Sequence, residues 1–171
     1  MELKNFDSIL SHLPKYEQPL RVILAGSDGE NMIRGIFQAQ KEGFVQPVLV
    51  GDRARTISLL EKLGLEREPY TMVDVAPGHD ITQEAIDIIN GGDGDILMRG
   101  NIDTRHFLMH VLDRRNNLRT DRIMSHVSLV SLPEYPKLLA LSDMTVVIKP
   151  TLEQKKAIIK NTADALKAFG Y

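Results

Sequence analysis

The chain of 171 residues contains no cysteine. Disulfide scaffolds, thiolate zinc sites, iron–sulfur centres and cysteine nucleophiles are therefore excluded. Long apolar runs are missing as well, and none approaches the about 20 residues that a membrane-spanning helix needs. Charge of one sign is not in excess: 21 basic residues stand against 23 acidic ones, for a formal net charge of -2. With a pI of about 6.2 there is no global electrostatic drive toward nucleic acid or an anionic membrane, and neither is expected as a partner. The first residues, MELKNFDSILSHLPKYEQ, lack an apolar stretch followed by a small-residue cleavage site, so no secretory leader is read there and a cytoplasmic location is the expectation. Low-complexity segments, Ser- or Gly-rich linkers and sequence repeats are also lacking.

What is present is the composition of a globular domain, 43% hydrophobic and 26% charged. Phe6, Ile9, Leu10 and Leu13 at helical spacing predict a lead helix closed by Pro14. Residues 21–26 (RVILAG) read as a strand, and residues 31–42 as a helix carrying Met32, Ile36 and Ala39 and stopped by Gly43. The alternation recurs: PVLVGD at 47–52 precedes RARTISLLEKLG, TMVDVA at 71–76 precedes DITQEAIDIINGG, and DILMRG at 95–100 precedes DTRHFLMHVLD. Four buried strands, each feeding a helix, predict an α/β fold of three layers, a mostly parallel sheet with helices on both faces. Past Leu118 the rhythm changes. RIMSHVSLVSL, LLALSD and TVVIK read as strands without long helices between them, so part of the sheet is expected to be mixed or antiparallel. Leu152, Ile159, Leu166 and Phe169 mark a closing helix that Pro150 and Thr151 start. The expected organisation is one α/β domain over residues 1–150 and a long helix over 151–171.

In such sheets ligands bind beyond the carboxyl ends of the strands, where loops lead into helix N-termini. The first such loop, residues 25–30 (AGSDGE), has small residues that permit close backbone approach, and Ser27 or Asp28 is placed to cap the next helix. It lacks the third glycine of the dinucleotide fingerprint and the Lys-Ser/Thr pair of a P-loop. A structural turn and a ligand contact both fit. The second, residues 98–104 (MRGNIDT), sets a glycine turn beside Arg99, whose planar fork suits phosphate, and Thr104, whose hydroxyl can donate to an anion. The plainer alternative is that Asp103 or Thr104 caps the helix and Arg99 pairs with a surface carboxylate. The third is Ser125-His126: neighbours on a strand face opposite ways, so they form no nucleophile–base pair, and no G-x-S-x-G elbow exists in the chain. His126 is then a hydrogen-bonded structural residue or a ligand-facing one. The fourth is Ser142-Asp143, where the carboxylate is a turn residue or a functional acid. Of the remaining histidines, His12 falls in the lead helix, His79 in a Pro-Gly loop, and His106 and His110 one helical turn apart. HFLMH lacks the glutamate of H-E-x-x-H, and no metal site is expected. Met98, Met109 and Met124 sit in apolar elements and read as core filler.

Taken in order, PVLVGD, then GDGDILMRGNIDT against a G-x-A-D-x-L-M-K-G-x-I-x-T pattern, then residues 118–170 with S-H, T-D and P-x-x-x-x-K-x-x-I-x-x-N-A segments, resemble the phosphate acetyl/butyryltransferase family. The likeness is greater to its phosphate butyryltransferase branch and spans roughly residues 20–171, the family's N-terminal half. It implies reversible acyl transfer between coenzyme A and inorganic phosphate, acyl-CoA plus phosphate giving acyl phosphate plus CoA, with CoA and phosphate as substrates and no bound cofactor, metal or prosthetic group. It also implies an isocitrate/isopropylmalate dehydrogenase-like fold, of which this is the first domain only. By the same resemblance Arg99, Gly100 and Thr104 serve the phosphate and Ser125, His126 and Asp143 line the cleft, while Ser27 and Asp28, read from the loop after the first strand, are a candidate cleft loop. The main catalytic base is expected in a second domain beyond KAFGY, so no catalytic residue is named here. The chain is expected to be incomplete alone, partnered by a complementing second half or by its own copies as a homo-oligomer. The alternative is a noncatalytic phosphate- or CoA-binding or assembly module. Two departures stand out: Arg99 replaces a lysine and keeps the charge, and Val147 replaces an asparagine and loses a polar group.

Overall fold

The computed structural model describes residues 5–10 and 18–169. The chain divides into two compact units, Lys15–Arg119 and Thr120–Tyr171 together with Met1–Pro14. Of the lead helix, α1 spans Phe6–Leu10. His12, Leu13 and Pro14 lie outside the described residues.

The Lys15–Arg119 unit alternates strand and helix: β1 Leu20–Ala25, α2 Glu30–Lys41, β2 Val45–Gly51, α3 Arg53–Leu63, β3 Thr71–Asp74, α4 Ile81–Asn90, β4 Ile96–Arg99 and α5 Thr104–Leu112, followed by a 3-10 turn at Arg114–Asn116. The four strands are parallel in the order β3-β2-β1-β4. Side chains alternate across β1 with the period of two that a strand imposes. Val22 and Leu24 pack with Ile33, Ile36 and Phe37 of α2 and Leu60 of α3 on one face. Ile23 and Ala25 pack with Ala85 of α4 and Phe107 of α5 on the other. Helices thus cover both faces, as the sequence predicts. Each such large apolar side chain contributes about 1.5–3 kcal/mol by leaving water.

Local chemistry fixes where these helices start and stop. Asp52 caps α3, accepting from the Arg55 amide at 3.0 Å, and Gly64 ends it in the left-handed region at φ 67°. Asp80 caps α4 and Asp103 caps α5. Gly43 follows α2 at φ 82°, where the sequence predicts the stop. The cap expected from Ser27 or Asp28 is not made. Gly29 is the N-cap residue of α2, and no side chain bonds its first amides.

The unit containing Thr120–Tyr171 holds a two-stranded antiparallel ribbon, β5 Ser128–Val130 with β6 Leu139–Leu141, and the long helix α6 Leu152–Ala168. Thr151 and Gln154 form a reciprocal capping box at the helix start, in line with the predicted signal. The antiparallel expectation is met in this ribbon, but two of the predicted strands shrink or vanish. Ser125 and His126 precede β5 rather than lying in it. The TVVIK segment at 145–149 forms no strand because the Asp143 carboxylate takes the amides of Thr145, Val146 and Val147, donors that a sheet ladder would need. Among the described residues no helix is long and apolar enough to cross a membrane.

Candidate functional site

The strand order itself selects a place. From β1 the chain crosses by α2 to β2 on one side, while β4 docks on the other side of β1. The loops after β1 and β4 therefore diverge at a topological switch point, the usual ligand site of an open parallel sheet. These are the two loops singled out by sequence, residues 25–30 and 98–104.

Glycines let these loops meet. The Gly100 amide donates to the Ala25 carbonyl at 2.8 Å and the Asn101 amide to the Gly26 carbonyl at 2.9 Å. Gly26 is held at φ 82°, and a β-carbon there would stand 2.7 Å from the Ile102 side chain. The Gly26 amide in turn donates to the Val50 carbonyl at 2.9 Å, so the ends of β2, β1 and β4 form one hydrogen-bonded rim.

Around that rim the candidate side chains take different positions. Arg99 is exposed and folds over its own turn, its Nη1 donating to the carbonyls of Ile102 at 2.6 Å and Gly100 at 3.2 Å. The alternative pairing with a surface carboxylate is not the one seen. The remaining guanidinium N–H groups are those available to an anion. Thr104 is exposed at the first position of α5, and the cap there is Asp103, which accepts from the His106 amide at 2.9 Å. Helix geometry leaves the amides of Thr104 and Arg105 without an intrahelical partner, and the uncapped start of α2 does the same for Glu30, Asn31 and Met32. Asn101 links the two helix starts: a β-carbon on Gly29 would lie 3.4 Å from the Asn101 β-carbon. Sequence reasoning passed over Asn101, although its place between Gly100 and the α5 cap was the available signal.

Negative charge balances part of this. Asp28 is half-buried with Arg55 4.0 Å away. Glu30 is bonded by Lys62 and by Arg34, each at 3.0 Å, and these cations hold its carboxyl below the usual range, Lys62 foremost. Ser27 is turned inward. It is 1% exposed, and its hydroxyl pairs with that of Thr56 at 2.8 Å in the core. Its contribution is to the rim rather than to the solvent side.

Ser125, His126 and Asp143 belong to the other compact unit. The Ser125 hydroxyl accepts from the Asn161 side-chain amide at 2.9 Å, and the same amide donates to the Ile123 carbonyl at 2.8 Å. His126 Nε2 lies 3.2 Å from the hydroxyl of Ser128, so the serine that meets this imidazole is not its sequence neighbour. His126 Nδ1 is buried without a hydrogen-bond partner. Burial pushes the Asp143 carboxyl upward, yet the amides of Val146, Thr145, His126 and Val147 outweigh it and hold the group below its ordinary value. Asp143 is thus a turn organiser whose grip includes the backbone of His126. Val147, where the resemblance has asparagine, contributes its amide to that grip.

Comparison with known proteins bears on what this arrangement serves. The family described as "Phosphate acetyl/butaryl transferase" matches residues 76–171. Phosphate butyryltransferase of Clostridium beijerinckii is 32% identical over 167 residues, covering 98% of this chain and 55% of that protein. A branched-chain phosphotransacylase from Enterococcus faecalis is similar in structure with a TM-score of 0.70 and 26% identity, over 86% of this chain and 51% of the other. A phosphotransacetylase from Streptococcus pyogenes gives a TM-score of 0.77 at 16% identity, over 98% and 60%. The chain spans about half the length of the curated relatives it matches.

Proposed function

Since the chain belongs to the phosphate acetyl/butyryltransferase family, we propose that it takes part in reversible acyl transfer between coenzyme A and inorganic phosphate. In the forward direction a phosphate oxygen attacks the thioester carbonyl, the C–S bond breaks, and acyl phosphate and CoA are formed, the thiolate recovering a proton. Phosphate is a compact oxyanion, and its place in this reading is the rim of the switch point. Arg99 supplies charge and Thr104 a hydroxyl. Gly100 permits the close approach of the two loops, and the partnerless first amides of α2 and α5 supply further donors. The observation that carries the reading is this convergence of an uncapped helix start and an arginine on the two loops that flank the switch point.

In the same reading Ser125, His126 and Asp143 are proposed to contact substrate on the family resemblance alone, and within their own unit Asp143 holds the His126 amide. The resident groups are protein side chains and amides, with CoA and phosphate passing through as substrates. The chain acts in the cytoplasm, as a homo-oligomer or with a complementing second half.

The purified chain is incubated with butyryl-CoA, phosphate and a thiol reagent. Phosphate-dependent thiol release supports the transferase reading, and its absence at high protein concentration removes activity from these 171 residues. A second reading, a noncatalytic phosphate- or CoA-binding module, is favoured by Ser27 and Asp143 spending their polar atoms on the protein itself. Calorimetric binding of phosphate or CoA without turnover selects it.

A further inference from the structure

The fold brings to His106 and His110 a third polar group that lies far away in sequence. Asp80, at the start of α4, places Oδ2 2.8 Å from His106 Nε2 and 3.3 Å from His110 Nε2. One donor atom from each residue falls within 4.8 Å of the others, and the two rings lie 4.5 Å apart between centroids.

Three hydrogen bonds decide which atoms face the centre. Asp80 Oδ1 caps α4 by accepting from the amides of Thr82 at 2.8 Å and Gln83 at 3.2 Å, which turns Oδ2 toward the imidazoles. His110 Nδ1 lies 3.0 Å from the carbonyl oxygen of His106. A carbonyl only accepts, so Nδ1 carries the hydrogen and Nε2 of the neutral ring presents its lone pair. That lone pair meets a carboxylate oxygen, and only a cation between them, a second ring proton or a metal ion, makes the contact attractive. Binding one imidazole nitrogen by bonding the other to a carbonyl is how metal-ligating histidines are commonly oriented.

The spacing suits a metal. Donors about 2.0–2.1 Å from a tetrahedral zinc ion are about 3.3–3.4 Å from one another, so the His110 contact already has that length and the His106 contact is reached by a small opening. All three side chains are partly exposed, at 46% for His106, 24% for His110 and 34% for Asp80, so an ion can enter from solvent and keep water or an anion in its open positions. The surroundings are negative as well. The Asp113 carboxyl, held down at about 2 by Arg115, lies in the electrostatic range of His110.

We propose that Asp80, His106 and His110 form a binding site for one divalent transition-metal ion of the zinc class, clamping the start of α4 to α5. Two imidazoles and one carboxylate favour such ions over magnesium, which prefers oxygen donors and keeps its waters. The site does not depend on the acyl-transfer reading, because none of its three ligands is assigned to phosphate or CoA.

The test uses the full untagged chain, freed of metal with a chelator and titrated calorimetrically with zinc and, separately, with magnesium. One zinc ion per chain is expected, with magnesium weaker by at least about 10-fold. Cobalt bound to the unmodified chain is expected to give the intense visible absorption of a tetrahedral N/O site, a reading that needs no variant. His106→Ala, His110→Ala and Asp80→Asn are each expected to weaken zinc binding by about 10- to 100-fold or more. Asn is itself a good helix cap, so Asp80→Asn keeps α4 while removing the charged ligand, and circular dichroism checks the fold. Absence of zinc binding overturns the proposal, as does zinc binding that survives the double His106→Ala/His110→Ala change, or magnesium bound as tightly as zinc.

Discussion

The α-carbon of Gly100 packs against the carbonyl oxygen of Gly26, leaving no room for a side chain: a β-carbon there would penetrate that oxygen and stand 2.8 Å from the Ala25 oxygen. The contact joins the loop after β4 to the loop after β1, so glycine at position 100 is a requirement of the switch point before it is a matter of ligand access.

Gly100→Ala is accordingly expected to destabilise the chain by about 1–3 kcal/mol, the range for forcing volume into a packed site. Urea denaturation at unchanged m-value reads the loss, and a midpoint equal to that of the unmodified chain contradicts the packing argument.

The Ser27–Thr56 hydroxyl pair is buried on both sides. Ser27→Ala leaves the Thr56 hydroxyl short of a partner and is expected to cost about 1–3 kcal/mol. Phosphate affinity should be nearly unchanged in the folded variant. The double change Ser27→Ala/Thr56→Val should cost less than the two single changes summed, the signature of a coupled pair in a double-mutant cycle. Strict additivity would place the hydroxyls in independent roles.

Arg99 spends one nitrogen on the carbonyls of Gly100 and Ile102 and presents the rest outward. If phosphate docks there, Arg99→Ala weakens its binding by about 1.5–3 kcal/mol, the worth of a hydrogen bond to a charged group. That corresponds to about 10- to 150-fold in Kd. Arg99→Lys keeps the charge without the planar fork and should fall between. Titration calorimetry with phosphate separates the three, and equal affinity of the alanine variant removes Arg99 from the site.

The layered α/β fold was legible because its strands and helices carry strong periodicity, as in β1, where Val22 and Leu24 face one helical layer and Ile23 and Ala25 the other. The order β3-β2-β1-β4 was not, since strand neighbours are chosen by tertiary packing. The same distinction divides the site. Loops 25–30 and 98–104 could be named from their small residues, but their meeting through Gly26 and Gly100 is a matter of backbone approach. Apolarity misled over TVVIK, where the β-branched run loses its amides to Asp143. The His106–His110 pair was visible in the sequence as an incomplete motif. Its third partner, Asp80, is recruited across the fold by helix packing and leaves no local trace.

Asp143 makes a pH-dependent contribution whose sign follows from its environment. Burial raises its pKa, but the amides of Val146, Thr145, His126 and Val147 together lower it further, so the folded chain holds this carboxylate ionised to more acidic pH than the unfolded chain does. A group lowered on folding stabilises the fold fully above its unfolded pKa of about 3.9, and that contribution fades as pH falls through the folded value. Asp143→Ala should therefore cost stability near neutral pH, by about 1 kcal/mol for a partly exposed acceptor of amide bonds, and the gap to the unmodified chain should close in acid. Urea midpoints of both proteins, measured from pH 7 downward, test this. A gap that widens in acid would mean that the carboxyl is held in its neutral form, and the turn would then have to be explained without an ionised Asp143.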